Sequence, residues 1–407
     1  MEKNAKEIID ALSTGPVKQF ILDHENDDVR DLILKHKDIL GIPIARVMEQ
    51  IATRRKAREK LPLYYNTPEI IFSPPANFEQ SSSELTAQYK SEIINSSFTT
   101  EKAIIADLTG GFGVDAYFFS KTAQKVHFVE PDTSLLEIAR HNHQLLGARN
   151  IQYHNSTAEN FIRATGEYFD FAYLDPSRRT AAKKKVHAFE DSQPDVLKLT
   201  SEIFEKTCVM MVKASPLLDI QAGMSQLTCV KNVFVVSVYN ECKEILFLCE
   251  EDFAGIAAIE AVNILGDLVV QKFEFSFQEE RRQMVEYSDP LKYLYEPNAS
   301  ILKAGAFKSV AIRFNLKKIQ SSTHLYTGDH LIESFPGKRF LIEKSIRPDP
   351  SEIKKYYPDG KANVTTRNYP LSPEALKKKT GLKDGGEKFL IGFSGQKKKY
   401  LVVAKKL

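Results

Sequence analysis

Between about residue 102 and residue 252, short apolar runs alternate with segments of helical periodicity, and this alternation strongly limits the possible folds. The apolar runs have the length of strands and cover residues 103–108, 126–129, 151–153, 169–174, 208–212, 233–238 and 245–248. Helical patterns, such as residues 134–146 and 196–205, separate most of them. Strands that alternate with helices in this way predict an α/β fold with a doubly wound parallel sheet.

The last two apolar runs do not fit a purely parallel sheet. Only six residues separate Val238 from Ile245, and a parallel crossover needs a dozen or more. These two runs are therefore expected to form an antiparallel hairpin that closes the sheet.

The first strand leads into a glycine-rich turn with the sequence Asp107-Leu108-Thr109-Gly110-Gly111-Phe112-Gly113. Glycine lets a backbone pass close to a ligand, and the N-terminus of the following helix offers free N–H groups to a carboxylate or phosphate. Dinucleotide-binding folds use such a loop as well, and a simple tight turn also accounts for it.

Polar residues also follow the next two strands. Glu130 ends the second strand, 19 residues after Gly111, and an acid at that position suits the hydroxyls of a ribose. Asn155 and Ser156 follow the third strand, where an amide or hydroxyl can meet an adenine ring. Asn155 has an equally good interpretation as a turn or cap residue.

The fourth strand ends in Asp175-Pro176-Ser177-Arg178-Arg179. With the glycine loop and Glu130, this motif resembles the class I S-adenosylmethionine-dependent methyltransferases, which have a Rossmann-like sheet ending in an antiparallel hairpin. The resemblance implies the cofactor S-adenosyl-L-methionine and places Asp175 and Pro176 beside the reacting atoms. It further implies that Glu130 binds the ribose, that Asn155 or Ser156 borders the adenine, and that the methionine part is wrapped by Asp107, Leu108, Thr109, Gly110, Gly111 and Gly113.

Two departures bear on the target atom. Ser177 stands where the common family motif has a second proline, followed by an aromatic residue or Arg, so the usual aromatic for stacking a base is absent. Methylation of pyrimidine C5 needs a thiolate nucleophile, and no cysteine directly follows the fourth or fifth strand. Cys242, in the hairpin, is the one candidate, and a thiol without a catalytic role is the favoured interpretation.

The charge is unevenly distributed, although the chain as a whole carries a net charge of only +3. From Pro336 to the end there are 18 basic and 7 acidic residues, a local net charge of +11. Basic modules are frequently nucleic-acid-binding surfaces, although a solvated lysine face is about as good an explanation. The candidate substrate contacts are Lys377, Lys378 and Lys379 there, and Arg178, Arg179, Lys183, Lys184 and Lys185 just beyond the fourth strand.

The whole chain also resembles a bacterial group of methyltransferases with a THUMP-like C-terminal domain. The resemblance is carried by residues 54–62, 79–84, 175–179, 295–299, 363–371 and 383–387. It implies an N-terminal helical region and linker (1–100), the methyltransferase domain (101–252), a ferredoxin-like α+β domain (253–335) and a basic THUMP-like domain (336–407). It also implies an RNA partner, because THUMP domains bind RNA, chiefly tRNA.

The sequence therefore predicts a methyltransferase that acts on structured RNA, either tRNA or rRNA. Two alternatives stay open: a methyltransferase of a protein or small molecule, and a non-catalytic RNA-binding protein that keeps the fold. The four cysteines form no CxxC pair, and His141 and His143 diverge on a predicted helix, so no metal site is expected. A cytoplasmic protein without a membrane partner is expected from the polar N-terminus and the lack of long apolar runs.

Overall fold

The computed structural model describes residues 5–97, 103–178, 189, 192–266 and 269–407. The chain divides into two units, one made of Met1–Lys231 with Ile245–Ala254 and the other of Asn232–Glu244 with Gly255–Leu407. Within the described residues, no helix has both the length and the apolar character that crossing a membrane requires.

Helices and a short ribbon precede the sheet of the first unit. They are α1 (Ala5–Leu12), α2 (Gly15–Asp23), α3 (Val29–Lys35), β1 (Asp38–Ile39), β2 (Ile42–Pro43), α4 (Ile44–Lys60), α5 (Pro62–Tyr65), α6 (Pro75–Gln80) and α7 (Glu84–Ser97). Helix α4 buries Val47, Ile51 and Ala57 along one side, at the spacing that an amphipathic helix needs to pack on its neighbours.

Strands and helices then alternate along the chain. They are β3 (Ile104–Asp107), α8 (Val114–Ser120), β4 (Lys125–Val129), α9 (Thr133–Leu145), β5 (Ile151–His154), α10 (Ala158–Ala164), β6 (Phe171–Leu174), β7 (Ser177–Arg178), β8 (Ser192–Gln193), α11 (Val196–Phe204), β9 (Val209–Ala214), α12 (Ile220–Gln226), β10 (Val230–Val238) and β11 (Glu241–Glu250). In the first unit the strand order is β5-β4-β3-β6-β9-β11.

The directions of these strands confirm the predicted fold class. Strands β5, β4, β3, β6 and β9 are parallel, and β11 is antiparallel to β9. Tyr239 and Asn240 connect β10 to β11 with positive φ angles of 48° and 67°, as a two-residue hairpin turn requires. The parallel strands end at one edge of the sheet, so the loops that follow β3, β4 and β6 come together there.

Side-chain caps fix where several helices begin. Asp132, Thr157, Asp195 and Asp219 accept hydrogen bonds from the first-turn N–H groups of α9, α10, α11 and α12. These N–H groups have no partner inside the helix. The caps therefore set the length of each loop between a strand and its helix.

The second unit contains the remaining elements. They are β12 (Ala258–Ile264), β13 (Val270–Phe275), α13 (Phe277–Arg282), β14 (Tyr293–Pro297), α14 (Ala299–Ala304), α15 (Ser309–Arg313), β15 (Lys317–Gln320), β16 (Thr323–Gly328), β17 (Gly337–Ser345), α16 (Pro350–Tyr356), β18 (Asn363–Arg367), α17 (Pro373–Thr380), β19 (Lys388–Ser394) and β20 (Lys399–Lys406).

The strands of the second unit pair in two groups. Strand β12 is parallel to β10, and β13 is antiparallel to β12, so the hairpin strand β10 has a further neighbour. A separate seven-stranded sheet has the order β15-β16-β14-β17-β20-β19-β18. Strands from residues 293–336 and from residues 337–406 thus share one sheet.

The seven-stranded sheet has a core on each face. Ile391, Phe393 and Val402 belong to one core with residues of β14 and β16. Leu390, Leu401 and Val403 belong to the other, which also takes Ile353 of α16 and Leu376 of α17. This alternation along β19 and β20 follows the two-residue period of a strand, and it places α16 and α17 on the same face.

Candidate functional site

A cleft of about 320 Å³ lies in the first unit, at the carboxyl ends of β3, β4 and β6. Its lining includes six loop residues (108–113), together with Glu130 and Asp175. Three separate motifs of the sequence therefore meet in one cavity. This is the position at which open α/β sheets bind ligands.

The three glycines of the loop serve different purposes. A Cβ on Gly110 would lie 2.4 Å from the ring of Phe128, and one on Gly113 would lie 2.7 Å from His143 Nε2. Gly111 has a positive φ of 56°, and a Cβ there would meet nothing closer than 3.8 Å. Gly110 is thus required by packing, and Gly113 by packing and by its positive φ of 85°. Gly111 is required by backbone conformation alone and borders open space.

His143 connects α9 to this loop. Its Nε2 donates to the carbonyl oxygen of Gly113 at 2.8 Å, and its Nδ1 lies 3.0 Å from the hydroxyl of Tyr153, which donates to it. Burial lowers the pKa of His143 to about 4, so the ring is neutral at pH 7. His143 is a structural support of the loop.

Glu130 joins the loop to the end of β4. One carboxylate oxygen accepts from the N–H of Gly111 at 2.8 Å, and the other accepts from the N–H of Asp132 at 2.8 Å. Burial raises the pKa of Glu130 despite these two hydrogen bonds. Each oxygen keeps a second lone pair, so the carboxylate can still accept hydrogen bonds from two ligand hydroxyls.

Asp107 is buried and is not among the lining residues. Its Oδ1 accepts from the N–H of Thr109 at 3.1 Å. The pKa of Asp107 is raised well above its ordinary value. The main cause is burial, and the second is the negative charge of Asp115. Asp107 therefore stabilises the turn of the glycine loop and does not face the cleft.

Asp175 lines the cleft, and both its backbone N–H and its carboxylate have partners. Its N–H donates to Thr109 Oγ1 at 2.6 Å, and its Oδ2 lies 2.5 Å from Nζ of Lys213, at the end of β9. The two side chains are 30% and 12% exposed. Pro176, next in the chain, does not line the cavity, whereas Ser177 does.

Helix α6, the loop that follows it and the start of α8 supply another wall of the cleft. Ser82 and Asp115 line it, and Ser82 Oγ donates to Asp115 Oδ2 at 2.7 Å. The fully buried Lys90 lies 3.1 Å from Asp115 Oδ1, and the hydroxyl of Tyr173 donates to Oδ2 at 3.1 Å. Burial acts to raise the pKa of Asp115, but the charges of Lys90 and Lys213 outweigh it, so the net shift is downward.

Asn155 and Ser156, expected near the adenine, are not among the residues that line the cleft. Asn155 Nδ2 donates to the carbonyl oxygens of Glu130 and Pro131, and its Oδ1 accepts from Thr133 Oγ1, each at 3.0 Å. Asn155 thus acts as a turn residue. The next residues, Thr157 to Glu159, line the cleft instead.

The structure describes only some of the basic residues that were predicted to contact the substrate. Arg179, Lys183, Lys184 and Lys185 lie outside the described residues, and of Arg178 only the backbone is described, paired with Ser192. Lys377, Lys378 and Lys379 form the last turn of α17.

Cys242 is not a lining residue, and burial raises the pKa of its thiol to about 11. At neutral pH it is therefore almost entirely a thiol, which is a poor nucleophile.

Sequence reasoning did not single out many of the lining residues. Some come from the N-terminal part of the chain or from residues well beyond the fourth strand: Asn77, Gln80, Ser81, Ser82, Gln193 and Pro194. Others directly follow the predicted motifs: Val114, Asp115, Pro131, Leu135, Thr157, Ala158 and Glu159. Lys213 was missed as well. The register of β6 on β9 pairs Leu174 with Val212, so an estimate of that register would have placed Lys213 beside Asp175.

Comparisons with known proteins match three segments of the chain to family models. These are conserved hypothetical protein 95, a methyltransferase family, over residues 92–231, a ferredoxin-like domain over residues 293–336 and a THUMP domain-like family over residues 337–406. The crystal structure of a candidate methyltransferase from Porphyromonas gingivalis W83 is 31% identical, with a TM-score of 0.86, and the match covers 100% of both chains.

Other solved structures match only part of the chain. An rRNA methylase from Streptococcus thermophilus is 17% identical over 40% of this chain and 95% of its own, with a TM-score of 0.30. A candidate methyltransferase from Streptococcus mutans in complex with SAH is 16% identical over 44% of this chain and 99% of its own, with a TM-score of 0.29. A comparison with curated proteins found no match.

Proposed function

Since this chain belongs to the class I methyltransferase family with a ferredoxin-like and a C-terminal THUMP-like domain, we propose that it methylates structured RNA, either tRNA or rRNA. The proposed methyl donor is S-adenosylmethionine. The observation that carries the proposal is the meeting of the glycine loop, Glu130 and Asp175 in one cleft.

The residues of the cleft fit this cofactor. Gly111 leaves open space beside a loop whose backbone a ligand can approach, and Glu130 can accept from the two hydroxyls of a ribose. Asp115, Glu130, Glu159 and Asp175 line the cavity, and their negative charges favour a cationic sulfonium. Thr157 to Glu159, rather than Asn155 and Ser156, are the residues proposed to border the adenine.

The chain's own contribution to the reaction is mainly positioning. S-adenosylmethionine supplies an electrophilic methyl group when it is bound. The glycine loop and Glu130 fix the donor, and Asp175, anchored to Thr109, accepts a hydrogen bond from the methyl-accepting group of the substrate. Holding donor and acceptor in line removes much of the entropic part of the barrier.

The basic C-terminal region is the proposed RNA-binding part. Lys354 and Lys355 of α16 and Lys378 and Lys379 of α17 are exposed, and both helices pack on one face of the sheet. Lys377 differs, because its Nζ lies 2.8 Å from Asp384 Oδ2. We therefore expect Lys378 and Lys379 to contact phosphates, whereas Lys377 is engaged with Asp384, just beyond the end of α17.

We divide the chain into an N-terminal helical region (1–100), the methyltransferase domain (101–252), the ferredoxin-like domain (253–335) and the THUMP-like domain (336–407). We further propose that Arg178, Arg179, Lys183, Lys184 and Lys185 contact the RNA near the target nucleotide and that the protein works in the cytoplasm.

A two-part experiment on the full-length protein tests the function. First, S-adenosylmethionine should raise its melting temperature and bind in a calorimeter. Second, methyl-labelled cofactor should transfer label to tRNA or rRNA from a strain that lacks the gene, whereas Asp175→Ala should not. Label in protein or small molecules would contradict the RNA substrate, and RNA binding without cofactor binding would indicate a non-catalytic protein.

A further inference from the structure

The pairing of Asp175 with Lys213 follows directly from the sheet. Strands β6 and β9 are parallel, with Leu174 opposite Val212. Asp175 and Lys213 are the next residues on each strand, so they emerge side by side at the edge that carries the cleft. The 2.5 Å contact between Lys213 Nζ and Asp175 Oδ2 is a consequence of that register.

The two contacts of Asp175 leave one oxygen available. The backbone N–H is fixed by Thr109 of the glycine loop, and Oδ2 is fixed by Lys213. Oδ1 has no hydrogen bond with any residue that the structure describes. The substrate group that accepts the methyl can therefore donate to Oδ1 while Lys213 holds the other oxygen.

The surroundings make the cation necessary for this arrangement. The charges of Asp115, Asp175 and Glu130 all act on Asp107, so the end of the cleft is crowded with carboxylates. A half-buried carboxylate among like charges, without a cation, would rotate towards water. Lys213, with a side chain only 12% exposed, is placed to prevent this.

We infer that Lys213 is a positioning residue for methyl transfer, which holds the Asp175 carboxylate in the orientation that lets Oδ1 receive the hydrogen bond from the methyl-accepting group. This inference rests on the proposed function, because it assigns Asp175 to the reacting atoms. In this inference Lys213 is not a cofactor-binding residue, because it contacts Asp175 and does not line the cleft.

The test compares Lys213→Met, which keeps length without charge, with Lys213→Arg, which can still donate to a carboxylate. The matched control is Lys125→Met. Lys125 also forms an ion pair, with Glu167 at 2.8 Å, but it lies at the opposite end of its strand from the cleft. The dissociation constant of S-adenosylmethionine, kcat and KM for RNA are measured for each full-length variant, with melting temperature as the check on folding.

We expect Lys213→Met to lower kcat by about 100-fold, the scale of a small misplacement of reacting groups, with cofactor affinity and KM nearly unchanged. Lys213→Arg should recover most of the loss, and Lys125→Met should match the wild type. If Lys213→Met unfolds, Lys213→Gln replaces it.

Two results would overturn the inference: wild-type kcat in a folded Lys213→Met, or a loss confined to cofactor affinity. Wild-type protein that binds cofactor but methylates no RNA would instead remove the proposed function, and the inference with it.

Discussion

Acidic side chains close to one another in the cleft region are placed in different environments. Burial raises the pKa of Asp107 and of Glu130, whereas the charges of Lys90 and Lys213 bring the pKa of Asp115 below its ordinary value. Asp107 is suited to shape a turn, Asp115 to stay ionised in the wall, and Glu130 to combine loop support with ligand binding. The residue type alone does not decide these roles.

Glu130→Ala should weaken the binding of S-adenosylmethionine by about 1.5–3 kcal/mol, the scale of a hydrogen bond to a charged group. The change also removes the partner of the Gly111 and Asp132 N–H groups, so the melting temperature should fall. Calorimetry measures the affinity, with Glu137→Ala as the control, since Glu137 is a surface partner of Arg140. Unchanged affinity in Glu130→Ala would contradict the assignment to the ribose.

Cys242→Ser should keep methyl transfer within a few-fold of the wild type, because burial raises the thiol pKa to about 11 and no thiolate attack is assigned. Asp175→Ala should abolish most turnover while cofactor binding persists. Label transfer to RNA measures both. A loss of several orders of magnitude in Cys242→Ser, with a trapped adduct on fluorinated pyrimidine RNA, would show that the mechanism is covalent.

Residues at strand ends could be predicted, because a parallel sheet gathers those ends at one edge. The glycine loop, Glu130 and Asp175 were placed together on that basis, and they do meet in the cleft. Ser82 and Lys213 could not be found in this way. Their positions depend on the packing of an N-terminal helix and on strand register, which local sequence patterns do not encode.

At the scale of elements, the loop between β3 and α8 combines two requirements. Gly113 has a φ of 85° and packs against His143, so it fixes the start of α8. Gly111 has a positive φ but no close neighbour. The same residue type therefore has a structural role at one position and a proposed binding role two residues earlier.

Gly111→Val and Gly113→Ala should affect different properties, namely cofactor binding and stability. Gly111→Val should abolish cofactor binding in a folded protein, because valine resists positive φ and puts a branched side chain into the cleft. Gly113→Ala should instead lower the melting temperature, because its Cβ would lie 2.7 Å from His143 Nε2. Calorimetry and thermal unfolding separate the two. Unchanged affinity in a folded Gly111→Val would contradict the loop assignment.

Elements with strong local signals were predicted well, and long-range pairings were not. Strands β3 to β6 and β9 to β11 follow from apolar runs of the right length, whereas the short strands β7 and β8 have no such signal. Helices α14 and α15 are separate elements, because Gly305 adopts a positive φ of 83° at the end of α14. The parallel pairing of β12 with β10 could not be inferred, since β11 lies between these two strands in the chain.

At the scale of the whole molecule, the net charge of +3 conceals a C-terminal segment with a local net charge of +11. Several of these cations are already engaged within the second unit. Glu296 pairs with Lys338 and Arg367, and Glu343 with Lys388. The charge left for the proposed RNA binding is therefore smaller than the composition suggests, and it includes the exposed lysines of α16 and α17.

Charge reversal at Lys378 and Lys379 should weaken RNA binding and flatten its dependence on salt, because each lost phosphate contact changes the slope of log K against log salt by about 0.7–0.9. Binding is measured at several salt concentrations. Lys377→Glu is the comparison, and it should mainly lower stability through the lost pair with Asp384. Wild-type affinity in the double variant at every salt concentration would mean that these lysines are only a solvated face.

The most direct measurement of the central claim is mass spectrometry of the modified nucleosides in tRNA and rRNA. It compares a strain that lacks the gene with strains complemented by the wild-type protein or by Asp175→Ala. We expect one methylated nucleoside to disappear in the deletion strain, to return with the wild type and to remain absent with Asp175→Ala. Identical nucleoside profiles in all these strains would contradict the assignment of this protein as an RNA methyltransferase.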